Sequence, residues 1–189
     1  MFKKQTDNRV AVFFADGCEE IEGLTVVDLL FRAGIPCDMV SVSDSYQVTS
    51  SHEVTFLCNK LISEVDINAY AMLVLPGGIP GTPNLAATDS LMQAVDSFAA
   101  QEKPLAAICA APSIYAERGL LSGVRATANP GFQHVLVEKG ALLSKDPVVV
   151  DGPFITSQGA GTAVAFGLEI VRYFLGDAAV LRVRDGIAL

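Results

Sequence analysis

The 189-residue chain is 51% hydrophobic and 18% charged, which excludes a disordered polymer, because only a chain that buries this much apolar surface offsets the entropy of ordering. Lys+Arg 13 against Asp+Glu 21 leaves a net charge of −8, so phosphate backbones are repelled and nucleic acid is not expected as a primary ligand; no basic block suits a membrane surface either. The length predicts a single domain spanning 1–189.

In chain order, Val10 to Ala15 is an uninterrupted apolar run of the kind a central parallel strand needs when both of its faces are covered. Ile21, Leu24, Val27, Leu30 and Phe31 then recur at helical spacing, with Gly34 placed to end the helix. Met39 to Val42 reads as a second strand, and Tyr46 to Thr49 with Val54 to Cys58 as a hairpin around the polar Ser50-Ser51-His52-Glu53. The uncharged stretch from Ile67 to Thr88 imitates a membrane span, but Pro76, Gly77, Gly78, Pro80, Gly81 and Pro83 break any such helix; only a strand, Tyr70 to Leu75, is expected there. Asp89 to Gln101 carries Leu91, Val95 and Phe98 on one stripe behind Thr88, a predicted N-cap. A strand over Leu105 to Ile108, a helix over Pro112 to Leu121 and a short strand over Arg125 to Ala128 follow. Val148 to Val150 and Phe154 to Thr156 flank the turn Asp151-Gly152. Thr162 to Leu175 is an apolar helix expected to stop at Gly176, with a last short helix over Ala178 to Val183.

Strands alternating with helices imply a mainly parallel sheet between helical layers, with a ligand site beyond the carboxyl ends of the strands. That places attention on Asp16 to Glu22, Pro76 to Asn84, Cys109 to Pro112 and Thr127 to Pro130. Cys109 ends a strand and is followed by Ala110-Ala111-Pro112 and a helix, so it sits where a nucleophile on a strand-to-helix elbow would, among the small neighbours such an elbow requires. Unpaired N–H groups at the helix start are expected to lower its pKa. Cys37 and Cys58 read as structural, and Cys18, among Glu19, Glu20 and Glu22, as an exposed thiol of no special reactivity. No two of the four cysteines have metal-ligand spacing, so no metal is expected.

The acidic turn needs more than helix capping only if one glutamate points inward over the strand ends, where poor solvation would keep it protonated near neutrality and able to pass a proton to the cysteine. Spacing does not choose between Glu19 and Glu22. Pro76-Gly77-Gly78 lacks phosphate-loop spacing; it suits either a tight turn or a backbone that approaches a ligand and offers N–H groups to an oxyanion. The histidines, His52 and His134, both lie outside the Thr127-Ala128-Asn129-Pro130 loop, which argues against thiol-peptidase chemistry. The amino terminus, MFKKQTDNRV, lacks the apolar region of a secretory leader, so a reducing cytoplasm with free thiols is expected.

Five ordered motifs resemble the ThiJ/PfpI superfamily, in the branch that includes a parkinsonism-associated human protein. They are Gly17-x-Glu19-Glu20-x-Glu22, Val27-Asp28-x-x-x-Arg32-Ala33-Gly34-Ile35, Leu75-Pro76-Gly77-Gly78, Ala106-Ala107-Ile108-Cys109-Ala110-x-Pro112 and Thr156-Ser157-x-Gly159-x-Gly161-Thr162. The resemblance implies a flavodoxin-like three-layer α/β sandwich, usually a homodimer, with Cys109 as the active cysteine and Glu22 as the carboxyl that contacts it. It implies cofactor-independent conversion of methylglyoxal or glyoxal to hydroxy acids, or deglycation of early adducts on protein side chains; redox sensing through a sulfinic acid and holdase chaperoning are the alternatives. Gly77, Gly78, Ala110 and Asn129 are the expected substrate and oxyanion contacts. The branch often carries histidine where this chain has Asn129, and asparagine cannot shuttle a proton near neutral pH, so slower turnover than in histidine-bearing relatives is expected.

Overall fold

A computed structural model describes residues 2–189. The first apolar run forms β1 (Val10–Phe14), buried at every position, and leads into α1 (Glu20–Ala33). That helix ends where Gly34 turns left-handed at φ 80° and returns its N–H to the last carbonyls. β2 (Cys37–Ser41) precedes an antiparallel hairpin of β3 (Gln47–Thr49) and β4 (Thr55–Leu57), then the two-residue β5 (Lys60–Leu61). β6 (Met72–Leu75), α2 (Gly81–Ala86), α3 (Asp89–Ala100), β7 (Leu105–Ile108) and α4 (Pro112–Glu117) follow. The chain closes with β8 (Arg125–Ala126), α5 (Gln133–Glu138), β9 (Leu142–Leu143), β10 (Val148–Asp151), β11 (Phe154–Ser157) and α6 (Ala163–Gly186).

The main sheet has seven strands in the order β10-β11-β7-β6-β1-β2-β5, parallel throughout except for β10, which pairs antiparallel with β11. Strand alternation then sorts the core into two layers. Ala11, Phe13 and Ala15 face a layer built with α3, α4 and α5, while Val10, Val12 and Phe14 face one built with α1 and α6. This is the expected flavodoxin-like sandwich, and it brings the carboxyl ends of β1, β6 and β7 to one rim.

Several expectations change. The helix after Cys109 stops at Glu117 rather than Leu121, and the strand after it shrinks to Arg125–Ala126, pairing with β9 in a separate small sheet instead of joining the main one. Thr88 stands at the start of α3, but its hydroxyl donates to the Asn84 carbonyl (3.0 Å) and caps nothing. The glycine- and proline-rich run does hold a helix, α2, with its prolines in and before the first turn, where no amide donor is needed. Gly176, by contrast, breaks α6 with φ 71° into two helical stretches, as expected. Among the described residues no helix is long and apolar enough to cross a membrane.

Candidate active site

Cys109 sits at the carboxyl end of β7 with φ 66°, a left-handed conformation that costs a non-glycine residue on the order of 1–3 kcal/mol. The elbow is held from both sides: its N–H donates to the Ser157 carbonyl (3.0 Å) and its carbonyl accepts from the Asn129 N–H (2.8 Å). Ala107, Ala110 and Ala111 around it are buried. The neighbouring rim loop approaches just as closely. A Cβ on Gly77 would lie 2.6 Å from Cys109 Cβ, 2.9 Å from Glu22 Oε2 and 3.0 Å from the Ala110 nitrogen, so only glycine fits. At Gly78, with φ 93°, a Cβ would lie 2.3 Å from the Glu19 nitrogen.

Glu22, on the first turn of α1, is the inward carboxyl; its side chain is buried while Ile21 beside it is exposed. Oε2 accepts the Gly77 N–H at 2.8 Å. Oε1 is buried without a fully formed bond, lying near the Cys109 thiol and the Ala160 N–H, both of which favour the ionised carboxylate. Burial outweighs these contacts and pushes the Glu22 carboxyl up to about 7. For Cys109 the expectation of a lowered pKa is overturned. Burial first, then the Glu22 charge and hydrogen bond, push the thiol up to about 12, against the pull of the Ala110 and Gly78 N–H groups. The helix behind it has only six residues, so its dipole offers little, and the two N–H groups offset only part of the rise. The two side chains form one coupled unit, and a proton on Glu22 removes the charge that opposes a thiolate on Cys109.

Asn129 completes the site. Its Oδ1 accepts the Gly131 N–H at 3.0 Å, which orients the amide so that Nδ2 is left to donate. Gly159, after β11, shows where these groups meet. The point its missing Cβ would occupy lies 3.5 Å from Asn129 Nδ2, 3.8 Å from Glu22 Oε1 and 3.9 Å from Cys109 Sγ. Gly159 was not among the candidate residues read from the sequence; its glycine-rich motif after a strand was the available signal.

The other candidates separate from this cluster. Cys18 is fully buried rather than exposed, and burial, followed by the neighbouring Cys58 and Glu20, pushes its thiol up to about 12. Cys58 is buried too, and its thiol also rises to about 12. Neither histidine reaches Cys109. His134 is exposed on α5, and His52 Nδ1 lies 3.2 Å from Glu20 and 3.6 Å from Glu19. The grouping of Glu19, Glu20 and His52, whose ligand-type atoms fall within 4.8 Å of one another, is accounted for by that pairing.

An α/β sandwich with a cysteine on a strained elbow, a buried carboxyl beside it and glycines cleared around both defines a class of thiol-bearing proteins. The chain belongs to the DJ-1/PfpI family, whose model matches residues 8–173. It is 36% identical to protein DJ-1 homolog B of Arabidopsis thaliana over 89% of its own length, although it spans only 38% of that longer relative. With the glutathione-independent glyoxalase DJ-1 of Schizosaccharomyces pombe it shares 31% identity, covering 86% of this chain and 89% of the relative. The crystal structure of Drosophila melanogaster DJ-1beta superposes with a TM-score of 0.92 at 31% identity, over 97% of this chain and 99% of that one.

Proposed function

We propose that the protein converts small α-oxoaldehydes, methylglyoxal and glyoxal, to hydroxy acids without a cofactor, using Cys109 as nucleophile and Glu22 as proton relay, and that it acts likewise on early adducts of these aldehydes with protein side chains. The observation that carries the reading is the convergence of Sγ, Oε1 and Nδ2 around the space kept open by Gly159. A nucleophile, a proton carrier and a hydrogen-bond donor thus lie within 4 Å of one point.

The competent form has the proton on Glu22 and the charge on sulfur. Sγ bonds the aldehyde carbon, and the former carbonyl oxygen, held by the Gly78 and Ala110 N–H groups, takes the Glu22 proton to give a hemithioacetal. The Glu22 carboxylate then removes the hydrogen from that carbon and returns it to the neighbouring carbon, while the hydroxyl proton passes to the second oxygen. The product is a thioester of a 2-hydroxy acid, an internal redox exchange that needs no external oxidant. Water hydrolyses the thioester, releasing the acid and restoring the proton to the pair. Asn129 Nδ2 donates to the second carbonyl but cannot carry a proton, which is why modest turnover is expected. The test is lactate release from methylglyoxal by reduced wild type and by Cys109→Ser; equal rates, or no lactate from wild type, would end this reading.

A second reading, oxidant sensing, is favoured by the partly accessible position of Cys109 beside Glu22 and the Ala110 and Gly78 N–H groups; Cys18 and Cys58 are buried, and Cys37, also partly accessible, has no such partners. The same N–H groups and a protonated Glu22 would hold the oxygens of a sulfinate. Intact mass after mild peroxide should show two added oxygens on Cys109; oxidation spread over the other cysteines would count against it. The active assembly on either reading is a homodimer in the cytoplasm, to be checked by sedimentation and by fractionation.

A further inference from the structure

On the face of the sheet opposite α1 and α6 lies a cavity of about 640 Å³ in which neither Cys109 nor Glu22 takes part. Its volume is that of a site for a drug-sized molecule. Ile79, Met92, Ile114 and Phe132 make its walls apolar. Those walls are tied to the reactive rim by three hydrogen bonds. The Thr82 N–H donates to the Gly78 carbonyl (2.8 Å), the Ser113 hydroxyl to the Ala110 carbonyl (2.7 Å) and the Phe132 N–H to the Asn129 carbonyl (2.7 Å). Each loop that supplies a candidate substrate contact therefore has its back against this cavity, while the thiol packs with the opposite layer.

The charges at the cavity identify what it would take. Glu117 is spent on Lys139 (2.7 Å), and Asp96 is spent on Arg118, which grips it through Nε and Nη2. Arg118 is thereby paired in turn, but its Nη1 has no partner among the described residues and, with the second Nη2 hydrogen, leaves an end-on pair of donors for a carboxylate. From this arrangement we infer that the cavity is a second ligand site, separate from the thiol, for a small molecule with an aromatic or branched apolar body and a single carboxylate. The body lies against Ile79, Met92, Ile114 and Phe132, and the carboxylate meets Arg118.

The probe is 2-naphthoate, followed by calorimetry and by ligand-observed NMR on the full chain. Saturable binding of one molecule per chain is expected, and 2-naphthylmethylammonium, with the charge inverted, should bind more weakly. Ala86→Trp projects from the exposed face of α2 into the cavity and should weaken 2-naphthoate binding about tenfold or more, while Arg118→Met, which removes one charged contact, should weaken it about tenfold. Cys109→Ser should bind as wild type does, so that failure of the glyoxalase reading leaves this result standing. Absence of saturable binding, equal binding by both variants and wild type, tighter binding of the cation, or loss of binding in Cys109→Ser would each overturn the inference.

Discussion

Cys18, four residues beyond β1, and Cys109, the residue after β7, both follow parallel strands of the same sheet, and both thiols are pushed up to about 12. The causes differ. Cys18 is sealed: it has no exposed surface, its carbonyl accepts the Ser51 N–H at 2.8 Å, and a Cβ on Gly81 would lie 2.5 Å from its nitrogen. Nothing that titrates near neutrality would relieve its burial. At Cys109 part of the rise comes from the Glu22 carboxylate, which burial holds near 7, so a single proton taken up close to physiological pH removes it. What separates the two thiols is accessibility and, at Cys109, a neighbouring carboxyl whose charge a proton taken up near neutrality removes; the proposed function rests on that difference.

The largest effect that sharpens this contrast is Cys109→Ser, which should reduce methylglyoxal turnover to background. Cys18→Ala should retain turnover and cost on the order of 1 kcal/mol in urea denaturation from the small cavity it leaves. If Cys18→Ala abolished activity with the fold intact, the contrast would be broken.

Glu22→Gln keeps the shape of the carboxyl but cannot relay protons, so turnover should fall by roughly 10²–10⁴-fold. The same change removes the charge that opposes the thiolate, so the pKa of Cys109 read from iodoacetamide alkylation against pH should fall. In wild type the competent form shares one proton between Glu22 and Cys109, so kcat/KM should rise as pH climbs to about 7, where the pair passes from two protons to one, and level off above it; Glu22→Gln should lack that inflection. An unchanged alkylation profile in the variant would mean that Glu22 does not govern the thiol.

Gly77→Ala would force a methyl group to within 2.6 Å of Cys109 Cβ and 2.9 Å of Glu22 Oε2. Displacing either group by about 1 Å is expected to cost on the order of 10²-fold in turnover. Normal activity in a well-folded Gly77→Ala protein would show that the rim is looser than its geometry implies.

Smaller effects follow on stability. Glu22 is buried, and its carboxyl lies at about 7 folded against 4.5 unfolded, so between these values the folded state holds a proton the unfolded state has lost. Stability from this group is fully present below about 4.5 and is lost as pH rises to about 7, by roughly 3 kcal/mol. Urea denaturation of wild type and Glu22→Gln at pH 5 and pH 8 checks this: the decline should be smaller in the variant. Least of all should change in His52→Gln, because its pairing with Glu20 and Glu19 is on the surface and touches neither Cys109 nor Glu22; Tm and turnover should match wild type.

The strand and helix pattern was legible wherever a segment's own periodicity decides its form. Val10 to Phe14 is apolar at every position because both of its faces are covered, and the alanines around Cys109 mark an elbow by residue type alone. Local chemistry also marked Gly34 as the end of α1 and Gly176 as an interruption of the last helix. Periodicity fails where segments are too short to show it. β5 and β8 have two residues each, and whether such a segment joins the main sheet, as β5 does, or a separate pair, as β8 does, depends on what lies beside it.

The site divides in the same way. Residue type and position along the chain were enough to single out Cys109, while for Gly77 and Gly78 they left a tight turn and a ligand-facing backbone equally open. From spacing alone Glu19 and Glu22 were equal candidates, and the inward choice belongs to the packing of α1 over the sheet, which seats Oε2 on a backbone N–H 55 residues away. The burial of Cys18, the orientation of the Asn129 amide and the space at Gly159 were likewise decided only by tertiary structure. Each is a distance between loops that the chain brings together solely by closing a parallel sheet, and no local pattern encodes a distance of that kind.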